Sequence, residues 1–239
     1  MTLLRRLVLI VSIVVSGSLA LALAATAAGT SAGPVPGGKG GGPLGPGEYT
    51  FTDTSASATF GAPTAKGGIP QFLISVNRNV SSFQPEGGPD SVTKGTTVTL
   101  QITTPAITGF GCFTIDPSNF TVSKDLQTAA LHTTLNTPCP GKPSGSGLPP
   151  SITLDVTWTG NGVVGTSRNN NNFECAGYAT STNFVAHAAG NTASGSVTVQ
   201  SVVVLPQGPA DASTLQSSET HTHITGVEQN ACFALQFAA

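Results

Sequence analysis

Apolar and polar residues alternate with a period of two along most of this chain. Thr97-Val98-Thr99-Leu100-Gln101-Ile102-Thr103 keeps the alternation without error, and Ser151-Ile152-Thr153-Leu154-Asp155-Val156-Thr157-Trp158-Thr159 repeats it. Successive side chains of a β-strand point to opposite faces, so each run predicts a strand with one face on a core and the other in water. Similar runs occur at Phe72 to Val76, Asn119 to Val122, Ala129 to Leu135 and Ser194 to Leu205. Turn-forming residues separate them: Pro85 to Asp90, Gly160-Asn161-Gly162 and Pro138 to Pro150. Beyond the first residues no stretch places apolar side chains at the three and four spacing of a helix.

The pattern predicts an all-β fold of about ten antiparallel strands, arranged as a two-sheet sandwich, with a barrel as the competing arrangement. The Pro- and Gly-rich segment 138–150 divides the body into near-equal halves. It reads either as a linker between two domains or as a long connection within one sandwich, the second preferred because either half alone would have a thin core. Trp158, the single tryptophan, alternates inward with Ile152, Leu154 and Val156 and belongs to that core.

The start of the chain obeys different rules. Residues 1–27 carry a basic pair, Arg5 and Arg6, then an apolar run, then Ala25-Thr26-Ala27, which together form an export signal with a cleavage site. Residues 28–47 are mostly Gly and Pro and read as a tether without a core, leaving 48–239 as the folded domain. The tether holds the letters G-x-G-x-x-G at Gly40 to Gly45, but no strand precedes them and no helix follows to receive a phosphate, so the match is compositional. An apolar run closed by cleavage leaves no stable membrane span.

Charge narrows the partners. The chain has nine Lys and Arg against eleven Asp and Glu. Removing Arg5 and Arg6 leaves seven against eleven, a net charge of −4. With no basic run, binding to nucleic acid is excluded as a reading. Only 8% of residues are charged, so the surface must be polar through Thr, Ser, Asn and Gln. All four cysteines, Cys112, Cys139, Cys175 and Cys232, follow the signal, and an even number outside the cytoplasm points to disulfides. Three connectivities are open. Cys112 with Cys139 and Cys175 with Cys232 is preferred, since it closes one loop in each half.

Candidate chemistry is sparse. Glu219, His221 and His223 sit two apart, so on a strand they share a face and offer ligands suited to a divalent transition metal, the one cofactor the residues suggest. The competing reading is a polar edge strand, whose charges discourage pairing with another chain. Asn161, Arg168 and Asn170, at the tip of a long hairpin, together with an exposed ring at Tyr178, would form a ligand loop of the kind that binds carbohydrate. Tyr49 is a second candidate ring. His132 and Asp155 alternate outward and read as solvated. No nucleophile elbow, calcium loop or paired carboxylates stand out, so no catalytic residue is assigned.

Asp155 to Gly162, followed by Gly190 to Val197, resembles a group of secreted bacterial all-β proteins to which no activity is assigned. The resemblance implies export and a β-fold and carries over no functional residue. The expectation is therefore a secreted, non-catalytic module, binding or surface-structural, working outside the cell or at its surface, with a carbohydrate or another surface molecule as partner. The alternatives are an extracellular hydrolase whose site is built from scattered residues, and a metal-binding module using His221 and His223.

Overall fold

A computed structural model describes residues 45–61, 71–140, 147–175 and 177–226. The export signal and nearly all of the tether lie outside the described residues, as does Cys232. Ten strands follow in chain order: β1 (Gly47–Phe60), β2 (Gln71–Pro85), β3 (Ser91–Thr103), β4 (Thr108–Thr114), β5 (Phe120–Val122), β6 (Thr128–Leu135), β7 (Ile152–Cys175), β8 (Tyr178–Val199), β9 (Val202–Pro209) and β10 (Ala212–Thr225). A 3-10 turn, Pro117–Asn119, precedes β5 and is capped by the Asp116 carboxylate, which accepts from Ser118 N. None of the described helices is long and apolar enough to cross a membrane.

The all-β antiparallel reading holds, but the strands form one sheet and not two. Its order is β4-β3-β2-β1-β10-β8-β7-β6-β5, with β9 added to β8. The two-sheet sandwich survives only as two facing halves of that sheet. Trp158 on β7 donates its indole N–H to the carbonyl of Ser57 on β1 at 2.7 Å, although two strands separate β1 from β7 in the sheet order. At the sheet's ends, Thr114 N donates to Thr137 O, and Cys112 on β4 is disulfide-bonded to Cys139 beyond β6. Arg78 on β2 lies over the Phe120 ring at 5.3 Å and donates to Pro117 O. The ends thus meet through one isolated antiparallel bridge, Phe113 with Pro138, and no longer ladder, so the sheet is not a closed barrel either. The sheet runs across the 138–150 connection, because β6 and β7 on its two sides are antiparallel neighbours.

Core burial follows the alternation. Phe72, Ile74 and Val76 of β2, Val98, Leu100 and Ile102 of β3, and Ile152, Leu154, Val156 and Trp158 of β7 are all buried in one cluster. We call the face of the sheet that carries them the inner face, and the end of the sheet they occupy the proximal end. Toward the other, distal end the burial changes sides. On β1 the buried side chains are those of Ala56, Ala58 and Phe60, then Tyr49. Tyr49 is an odd number of residues away from those three, and the β1–β2 and β1–β10 ladders run without a bulge. Tyr49 therefore points to the outer face. Ile224 stands in the same relation to Leu215 on β10, and the two join Tyr178 in a second, smaller core, against which Phe83 and Phe173 pack. Tyr49 stacks on Phe83 with ring centroids 4.1 Å apart. One sheet thus has a large core on its inner face proximally and a small aromatic core on its outer face distally.

Asp53 sits between the two cores, on the outer face of β1, where its carboxylate accepts from Asn77 Nδ2 at 2.6 Å. Partial burial raises its pKa above the usual carboxylate value, and the Asn77 hydrogen bond opposes this only in part. A carboxyl with a raised folded pKa holds its proton where the unfolded chain has lost it. Stability contributed by the neutral form is therefore lost as pH rises through that window. Asp53→Asn is expected to be more stable than the parent at neutral pH and no more stable below the unfolded carboxyl's pKa. Thermal melts at the two pH values check this, and a parent as stable as the variant at pH 7 contradicts it.

Candidate functional site

The distal part of the sheet is a single layer of β3, β2, β1, β10, β8 and β7, and its inner face is polar. Register places the residues in rows across the strands. Glu48, opposite Gln84 on β2, pairs with His223, which pairs with Ser181, which pairs with Asn172. The next row is Thr50, His221, Asn183 and Asn170, and the one after it Thr52, Glu219, Val185 and Arg168. Strands spaced at ~4.8 Å make four such columns about 15 Å wide. The rows carry amide, hydroxyl, imidazole, carboxylate and guanidinium groups, with Val185 their one apolar member.

Glu219, His221 and His223 share this face, as their spacing requires. They do not converge. His221 Nε2 lies 2.8 Å from Glu219 Oε1 on its own strand, and its Nδ1 lies 3.2 Å from Thr50 Oγ1. His223 Nδ1 is 2.6 Å from Glu48 Oε1 on β1. Each imidazole is thus engaged with its own carboxylate, and each side chain is about half exposed. Among the described residues no group of three or more His, Cys, Asp or Glu is placed to hold a metal ion. His187 belongs to the same face one step proximally, with Nδ1 3.0 Å from Thr166 Oγ1. His132 is elsewhere, exposed beside Asp155 at 3.6 Å.

Three sequence expectations change. The segment holding the histidines is not an edge strand: β10 runs through the middle of the sheet between β1 and β8. Its polarity reflects a layer that is wet on its inner face. Asn161, Arg168 and Asn170 are not on a loop. Asn161 lies within an irregularity of β7 between Gly160 and Val164, and Arg168 and Asn170 lie along β7 itself, whose hairpin tip is beyond Cys175. Finally, Tyr178 and Tyr49 are not exposed rings. They are 6% and 8% exposed and belong to the outer aromatic core. Arg168 and Asn170 thus stand with the histidines and Tyr178 behind them, on the other side of the sheet.

Near the distal end this face holds an open depression of roughly 400 Å³, lined by Asn172, Glu174, Ala179, Ser181, His223 and Thr225. Glu48, Ser181 and Asn183 join this face without having a local signature of their own, whereas Asn172 belongs to the Asn-rich run that the sequence offers as a source of amide hydrogen bonds. In that run, Asn169 to Asn172, neither face is apolar. The preferred disulfide Cys112–Cys139 is present, with Cα atoms 5.4 Å apart. Cys175 is also disulfide-bonded. No protein-family model, curated protein or solved structure matches the chain.

Proposed function

We propose that the protein is an exported, disulfide-stapled β module that acts by binding, and that the polar inner face of its distal sheet takes an extended, hydroxyl-rich ligand such as a cell-surface carbohydrate. The observation that carries this reading is the set of rows from Glu48 to Asn172 and from Thr50 to Asn170. They present hydrogen-bonding groups of both polarities on a surface fixed in register by backbone ladders. Amides, hydroxyls and imidazoles both donate and accept, as sugar hydroxyls do. Binding sites are favoured where a rigid scaffold fixes such groups before the ligand arrives. A disulfide between Cys112 and Cys139 supports a working place in an oxidising compartment.

A glycan array probed with the purified, disulfide-intact protein tests this reading. A carbohydrate that binds is expected to lose roughly tenfold or more in affinity when His223 and Asn172, which flank the depression, are both replaced by alanine, at ~1 kcal/mol per lost hydrogen bond. The same replacement should leave thermal stability nearly unchanged, since both side chains stand on the wet face. An array with no binding sugar removes the carbohydrate reading.

A further inference from the structure

Among the described residues the distal half of β7 is an open sheet edge. β6 pairs with β7 only from Ile152 to Thr159, and among the described residues no strand pairs with that edge beyond it. Residues 161–172 are all exposed. From Val164 to Phe173 the edge spans about 30 Å at ~3.3 Å per residue. Exposed edges are normally blunted by charged side chains, prolines, bulges, shortness or cover. The other edges of this sheet follow that rule. β4 has seven residues and β5 three, and the distal edge of β3 carries Lys94. The β7 edge has no lysine or proline; its protection is a bulge at its start, between Gly160 and Val164, and two charges of opposite sign, Arg168 and Glu174, which can satisfy one another across a pair of such edges.

We infer that this edge pairs with the same edge of a second copy of the chain, antiparallel about a two-fold axis at Asn171, so that Arg168 of each copy faces Glu174 of the other. Symmetry and charge together select this register. Two identical edges pair about a two-fold axis only when facing residues have the same parity, so that both turn their free N–H and C=O groups outward. Arg168 and Glu174 are the only charged residues between Gly160 and Cys175, and both are even-numbered. Centring on Asn171 sets them opposite one another twice. Sliding the centre back by three residues sets Arg168 against itself, and the intermediate registers leave both charges facing neutral groups. Opposite charges directly across a ladder stabilise it and like charges destabilise it. Asn170 then faces Asn172, and Asn171 faces its own copy.

The fold leaves room for this. In that register the tip of the second hairpin ends several residues short of Thr159, where β6 begins to occupy the edge. A two-fold axis normal to the sheet keeps the inner faces of both copies on one side, so the single layer of six strands would continue as twelve. The inference does not rest on the carbohydrate reading, since pairing uses the backbone edge whether or not the face binds a sugar.

Sedimentation equilibrium of the disulfide-intact protein at low salt, up to about 0.1 mM, is the range in which a weak interface shows. It is expected to find a monomer–dimer equilibrium. Arg168→Glu alone and Glu174→Arg alone should each weaken the dimer by roughly tenfold or more, because two attractive pairs become two repulsive ones. Combining Arg168→Glu with Glu174→Arg should restore it. A parent that stays monomeric overturns the inference. So does a dimer indifferent to the single replacements, or one that the double replacement fails to rescue. Circular dichroism on each variant separates lost pairing from lost folding.

Discussion

Trp158→Ala is expected to lower the stability of the fold by about 3–5 kcal/mol, the usual cost of removing a large buried aromatic side chain. Trp158 is fully buried, at 0% exposure, in the largest cluster. Its neighbours across β6 and β8 are Ala129 and Ala193, whose small side chains leave space for the indole on both sides. The ring also meets Phe120 edge-on, with centroids 6.4 Å apart. Truncation therefore leaves a cavity between alanines that cannot reach in to fill it, and it frees the Ser57 carbonyl of its donor. Trp158→Phe should cost less, keeping much of the packing while losing the hydrogen bond, which is worth ~1 kcal/mol. Urea denaturation followed by circular dichroism measures both. A variant with alanine that unfolds at the parent's midpoint would show that the two halves of the sheet do not depend on this contact.

The second large effect is expected from the Cys112–Cys139 disulfide. The two residues are 27 apart in sequence, and on the loop-entropy model closing such a loop stabilises the fold by about 3.5 kcal/mol. Its position adds to this. β4 is the last strand at one end of the sheet order, and Cys139 follows β6, next to the last strand at the other end. An open sheet unzips most readily from its ends, and here the ends are tied to each other. Replacing both cysteines by alanine should lower the melting temperature by roughly 10 °C, at 2–4 °C per kcal/mol for a chain of this size. The double variant isolates this bond, whereas a reductant would also attack the one at Cys175. An unshifted melting curve for the double variant would rule out a stapling role.

Much of this body can be read from local pattern, and the limits of that reading have physical causes. Val98, Leu100 and Ile102 are buried and their threonine neighbours mostly not, as alternation demands, because each strand needs only its own residues to sort its faces. What alternation does not encode is which strands become neighbours. β1 and β10 pair across almost the whole domain, and no local feature of Glu219 to His223 distinguishes a central strand from an edge. Turn chemistry misled in two places. Gly160-Asn161-Gly162 reads as a chain reversal but produces only a shift of register inside β7. Gln200 and Ser201 lack the usual Asn-Gly signature, yet both adopt positive φ, +47° and +70°, and so close the β8–β9 hairpin. The run from Ser194 to Leu205 thus contains a reversal that its composition conceals.

The candidate site was legible to the same depth. A spacing of two placed Glu219, His221 and His223 on one face, and it placed Arg168 with Asn170. Their company was not legible. Glu48 reaches His223 only because β1 lies beside β10. Tyr178 is hidden because the apolar side of the sheet reverses between the proximal and distal ends, and a polar stretch between two short apolar signals gives no warning of that reversal.

That reversal has a bearing on how the molecule could change over generations. Its greasy anchor and its presented polar lattice sit at different heights along the same ribbons, on a shared side, with a separate aromatic clasp behind the lattice. Substitutions at His221, Asn170 or Asn183 disturb neither packing centre. A lineage could therefore exchange these groups freely and, on the binding role proposed above, alter what is gripped, while the machinery that keeps the ribbons in order remains untouched.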